Sequence, residues 1–132
     1  SEELTRACLS RIEDIGNEIQ AWAHLNPEYA LEQAQMFDAQ RQRGGPVGPL
    51  HGIPVGIKDI CDTEAFPTEN GTILDAGRQP TKDCRVVTLL KEAGAVIMGK
   101  TVTTELAAYG PGKTRNPHNP DHTPGGSSSG RS

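Results

Sequence analysis

An α/β fold is what the sequence predicts, and three observations predict it. Two short apolar runs, residues 50–60 and 95–98, have the length and composition of buried strands. Between them Val86, Val87, Leu89, Leu90 and Ala93 recur at helical spacing. That helix ends at Gly94 and passes at once into the second run. Helix into strand across a single glycine, after an earlier buried strand, is the grammar of a parallel α/β sheet.

The elements follow in order. Ser1 with Glu2 and Glu3 reads as a helix start with acid in its first turn. Leu4, Ala7, Cys8, Ile12 and Ile15 continue it, and Gly16 is expected to close it. Residues 19–25 alternate apolar Ile19, Ala21, Ala23 and Leu25 with Gln20, Trp22 and His24, as an edge or surface strand does. His24 reads as plain surface. Asn26-Pro27 supplies a cap and a first-turn proline for a second helix, with Ala30, Leu31, Ala34 and Phe37 as its buried stripe and an end near Arg43.

A Gly/Pro-rich connector, residues 44–49, leads to the first apolar run, whose far end carries Lys58. Residues 61–80 lose periodicity and read as a long irregular loop, usually functional or disordered. Asp83 is expected to cap the third helix, and residues 103–109 to form a further one. From Gly110 onward Pro, Gly, Asn and Ser dominate.

Composition narrows the function classes. The chain has 132 residues, a net charge of -4 and only 34% hydrophobic residues, low for a compact domain. Its apolar residues are nevertheless periodic, so the missing burial is expected elsewhere, in further chain or in another subunit such as the second copy of a homodimer. Without a basic excess, nucleic acid is not an expected partner. No apolar run approaches membrane-spanning length and no leader is recognisable in the first thirty residues. Cys8, Cys61 and Cys84 lack metal-ligand spacing and read as reduced thiols of a cytoplasmic protein, Cys61 as a small buried hydrophobe. Neither a metal nor an organic cofactor is indicated: His24, His51, His118 and His122 share no element, and Pro117 and Pro120 keep His118 and His122 off a regular helix.

Two places carry chemistry. Burial favours the neutral form of a lysine, and a neutral amine can serve as a general base. Lys58, at the end of an apolar strand, is therefore either such a base or a lysine that reaches to the surface. The run Gly125-Gly126-Ser127-Ser128-Ser129-Gly130 combines backbone freedom with clustered hydroxyls that can relay protons. It lacks the Gly-Lys-Ser/Thr of a phosphate-binding loop. On composition alone a flexible tail and a functional loop stand equal.

Four ordered blocks decide between these readings. Residues 52–59 (Gly-Ile-Pro-Val-Gly-Ile-Lys-Asp), 94–101 (Gly-Ala-Val-Ile-Met-Gly-Lys-Thr), 114–120 (Thr-Arg-Asn-Pro-His-Asn-Pro) and 123–130 (Thr-Pro-Gly-Gly-Ser-Ser-Ser-Gly) together closely resemble the amidase signature family. The resemblance covers nearly the whole chain, although members are several times longer. It implies an α/β fold with a mixed sheet flanked by helices, of which residues 1–132 would be the N-terminal portion of a single domain: a helical arm over 1–43, then the start of the core over 50–132. It implies amide hydrolysis by a Ser-cisSer-Lys triad acting on a small-molecule amide. The family's lysine falls on Lys58 and its bridging serine on Ser127, within the signature loop Gly125, Gly126, Ser128 and Ser129. Its nucleophilic serine belongs to a later Gly-Gly-Ser motif, expected beyond Ser132 with the oxyanion-hole amides that precede it, so residues 1–132 alone are expected to be inactive, a scaffold without turnover. Ser129 and Ser132 do not take the nucleophile's place. Leu106 and Tyr109 follow the Gly-Lys-Thr strand, where the family builds its acyl pocket. One departure is Arg131, where members carry a small residue.

Within the family the alternatives are the amidase subunit of a tRNA-dependent amidotransferase and a urea-derivative hydrolase. The amidotransferase subunit usually carries Asp-Asn after the lysine. Asp59-Ile60-Cys61 and Thr103-Thr104-Glu105 are more similar to stand-alone amidases.

Overall fold

The computed structural model describes residues 1–108 and 110–131, so Tyr109 and Ser132 lie outside the described residues. Six regular elements follow one another: α1 (Glu2–Ile19), β1 (Trp22–Leu25), α2 (Pro27–Gln42), β2 (Pro54–Lys58), α3 (Arg85–Glu92) and β3 (Val96–Thr101). The sheet has the order β1-β3-β2, with β2 parallel and β1 antiparallel to the central β3. It is therefore mixed, where strand and helix grammar alone pointed to a parallel sheet.

Local chemistry explains most boundaries. Asn26 caps α2 by accepting a hydrogen bond from the Tyr29 amide at 3.0 Å, and Pro27 occupies the first turn. α1 runs through Gly16, the residue expected to stop it, and ends where Gln20 turns left-handed (φ 53°) and returns its amide to the Gly16 carbonyl. The N-cap of α3 is Cys84, which corrects Asp83. The Asp83 carboxylate instead accepts from the Glu64 amide at 2.8 Å and pairs with Lys91 at 2.5 Å, tying the irregular loop to the helix.

Each face of the sheet carries its own core. Ile57 and Ile97 pack with Val87 of α3 and Phe66 of the long loop. Val96 and Met98 pack with Ala30 and Ala34 of α2, and Cys8, Leu9 and Ile12 of α1 lie against them. Alternation along β3 thus feeds both layers. The register then shifts: Val55 pairs with Ile97, but Gly56 pairs with Gly99. That extra residue sets Lys100 opposite Ile57 and Thr101 opposite Lys58. Gly99 is required where β1 crosses, since a Cβ there would lie 2.2 Å from the His24 carbonyl oxygen.

The helix expected over residues 103–109 does not form among the described residues, 103–108. A short 3-10 turn occupies Glu105–Ala107, with Leu106 and Ala107 at positive φ. The Thr104 hydroxyl donates to the Ala108 carbonyl at 2.7 Å and closes the turn on itself. The loop over 61–80 is irregular apart from one 3-10 turn, Ile73–Asp75.

Candidate active site

β2 delivers Lys58 at its last residue, and the chain turns away at once: the Lys58 carbonyl accepts from both the Ile60 and Cys61 amides. The side chain is half-buried and reaches across to the Gly/Ser loop, where Lys58 Nζ donates to Ser127 Oγ at 2.6 Å. The Gly126–Ser127 peptide bond is cis. The Ser127 carbonyl is held from two sides, by the Thr104 amide at 2.9 Å and the Thr103 hydroxyl at 3.1 Å. Downstream, the Gly130 amide donates to the Val102 carbonyl at 2.9 Å. A Cβ at Gly130 would lie 2.2 Å from the Ala21 carbonyl oxygen, so only glycine lets the loop dock so closely on the strand end.

The pair sits between two open clefts. On one side a cleft of about 550 Å³ is lined by Thr104, Ala107, Ala108, Gly125, Gly126 and Ser127 among others. On the other, a cleft of about 470 Å³ between α1 and the sheet takes in Trp22, Gly56, Lys58, Thr101 and Ser128. Ser129, a buried member of the loop, also borders the first cleft. Leu106 is 57% exposed and does not line that cleft; its neighbours Ala107 and Ala108 do.

Behind the pair lies a group that motif reading passed over. Lys100 is fully buried, at 0% exposure. Its Nζ donates to Thr68 Oγ1 at 2.6 Å and to the Pro67 carbonyl at 3.1 Å, and pairs with Asp59 Oδ1 at 3.1 Å. Burial pushes the Lys100 ammonium below the usual lysine range, and the Asp59 carboxylate pulls against it. The sequence signal was a lysine two residues past the apolar run 95–98, and a lysine has to find a partner when it is buried. Burial also raises the Cys61 thiol, with the neighbouring Cys84 adding to it, in keeping with a half-buried apolar role. His24 is more than plain surface: its Nε2 lies 2.9 Å from Glu69 Oε2. The Gly77 amide and His24 hold the Glu69 carboxyl below its ordinary value, the Gly77 bond contributing more. Among the described residues no group of three His, Cys, Asp or Glu side chains is placed to hold a metal ion.

A half-buried amine and a serine hydroxyl, held together by a glycine-rich loop at the end of a parallel strand, are the group types that a proton relay needs. Comparison with known proteins shows the family. The model of the Amidase family matches residues 3–132. The chain is 43% identical over 138 residues to the A subunit of the glutamyl-tRNA(Gln) amidotransferase from Thermobifida fusca, covering 98% of this chain and 27% of that protein. The same subunit from Chloroflexus aurantiacus is 43% identical over 136 residues, with 97% and 28% covered. Among solved structures, the peptide amidase of Stenotrophomonas maltophilia superposes with a TM-score of 0.90 at 38% identity, covering 98% of this chain and 29% of that one. An amidase family protein of Bacillus anthracis superposes with a TM-score of 0.85 at 34% identity, with 98% and 28% covered. The chain belongs to the amidase signature family. It spans just over a quarter of the length of the relatives it matches.

Proposed function

We propose that the intact protein carrying this chain hydrolyses a small carboxylic amide to an acid and ammonia or an amine. Residues 1–132 are then the N-terminal portion of a single amidase domain, with residues 1–43 as its helical arm and residues 50–132 as the start of its core. The observation that carries the reading is the 2.6 Å contact between Lys58 Nζ and Ser127 Oγ.

Lys58, in its neutral form, takes the Ser127 hydroxyl proton while Ser127 Oγ takes the proton of a nucleophilic serine supplied from outside residues 1–132. That serine attacks the amide carbonyl. The same relay, run backwards, protonates the departing nitrogen, a poor leaving group without it. Water then releases the acyl group. Apart from that water and the amide, these steps draw on protein side chains. The cleft beside Ser127 is the acyl pocket in this reading, with Ala107 and Ala108 on its wall and Leu106 and Tyr109 on the same segment. Three free cysteines suit a reducing, cytoplasmic setting.

Ser127→Ala removes the bridge and leaves the base. Amide hydrolysis by the intact protein is expected to fall by about 10²–10⁴-fold in kcat. Unchanged turnover in a folded Ser127→Ala protein would reject the relay.

A second reading is an amidotransferase subunit that passes ammonia to a partner, favoured by the name its curated relatives carry. Release of free ammonia from a simple amide by the purified protein alone supports the hydrolase; a requirement for partner subunits supports the alternative.

A further inference from the structure

Lys100 takes no part in the relay, yet among the described residues it is the largest side chain to be fully buried. We infer that Lys100 is a positioning residue, whose bonds to Asp59, Pro67 and Thr68 hold the segment that sets Lys58 and Ser127 against each other. The inference rests on the reading of Lys58 and Ser127 as the proton relay.

Two routes lead from the ammonium to the pair. The first is direct, because Asp59 follows Lys58 in the chain. Asp59 is fixed through its amide, which donates to the Thr101 carbonyl at 3.0 Å, and through its own carbonyl, which accepts from the Asn70 amide at 3.0 Å. Its carboxylate accepts from the Glu69 amide at 3.3 Å and holds Lys100. With its amide, carbonyl and carboxylate all engaged, the exit from β2 has little freedom, and Lys58 is aimed accordingly.

The second route runs through the loop. Lys100 grips Pro67 and Thr68, and the Thr68 hydroxyl also faces the Cys61 carbonyl at 3.3 Å. Two residues on, the Asn70 carbonyl accepts from the Leu106 amide at 2.8 Å. Gly71, at φ +67°, lies so close to the next segment that a Cβ there would be 2.9 Å from the Thr103 carbonyl oxygen and 3.0 Å from that of Thr104. Thr103 and Thr104 are the residues that hold the Ser127 carbonyl. One buried ammonium thus braces both halves of the pair.

A salt bridge that merely stabilised the fold would affect stability alone. A positioning residue affects the transfer of the proton more than the binding of the amide, because small displacements between reacting groups cost rate steeply. The gentlest probe is Thr68→Val, which keeps the volume and removes the oxygen nearest Lys100. In the intact protein it is expected to lower kcat at least about tenfold with KM within about twofold. Amide hydrogen exchange should quicken at Glu69, Asn70, Thr104 and Leu106 and stay unchanged in α1 and α2. Thr68→Ser, which keeps the hydroxyl, should restore kcat.

Lys100→Met combined with Asp59→Asn removes both charges together, and it serves as the second probe if Thr68→Val does not fold; the same split between kcat and KM is expected. A folded variant with wild-type kcat overturns the inference, as does a loss of rate accompanied by faster exchange throughout the chain. The parallel control is Lys58→Ala. If it is fully active the relay itself fails; if it is inactive while Thr68→Val turns over normally, only the role of Lys100 fails.

Discussion

Lys58→Ala is expected to lower kcat for amide hydrolysis by about 10³–10⁶-fold in the intact protein while leaving it folded. The magnitude follows from the proposed role. Lys58 is the base in reach of Ser127 Oγ among the described residues, and a residue that acts in a unit takes most of the unit's effect with it. The fold should tolerate the change. Lys58 is half-buried at a strand end, beside an open cleft, and its Nζ is bonded to Ser127 Oγ. A stability loss within about 1 kcal/mol is expected. Initial rates on simple amides, measured beside thermal unfolding, separate the two effects.

Lys100→Met should add to the loss of rate a large loss of stability, which Lys58→Ala does not show. Methionine nearly matches the length of lysine, so little cavity opens. What remains is a carboxylate at 3% exposure that has lost its ammonium, together with a Thr68 hydroxyl and a Pro67 carbonyl that have lost a donor. Removing one partner of a buried ion pair costs about 3–5 kcal/mol. Domains are stable by only about 5–15 kcal/mol, so the protein should unfold at a much lower urea concentration. Converting Asp59 to Asn in the same chain is expected to recover part of the loss, because the uncompensated charge goes with it. An unchanged unfolding midpoint in Lys100→Met would mean that the pair contributes nothing to the folded state.

What the sequence made legible was local. The Asn26-Pro27 start of α2 and the glycine between α3 and β3 depend on neighbouring residues alone, and both are where the pattern put them. Lys58 and Ser127 were picked out through motif blocks 69 positions apart, and a side-chain bond joins them in the structure. What depended on distant partners was not legible. β1 joins the sheet by pairing Trp22 with Thr101, and no short-range signal announces that. The strand β3 runs three residues past Met98, where Gly99, Lys100 and Thr101 pair with both β1 and β2; as sequence, a lysine there looks like the strand's end. The turn at Glu105–Ala107 displaced the expected helix because Thr104 and Asn70 take up its backbone groups. Asp83 was drawn from capping by Lys91 and Glu64, each a contact outside its own turn.

Whether Lys58 and Ser127 act as one relay is tested most directly by measuring kcat of the intact protein with Lys58→Ala, Ser127→Ala and both together. A single relay predicts that the double variant is about as slow as the slower single variant, since the second change removes nothing that still works. Losses that multiply in the double variant, or either single variant turning over at the wild-type rate, would contradict it.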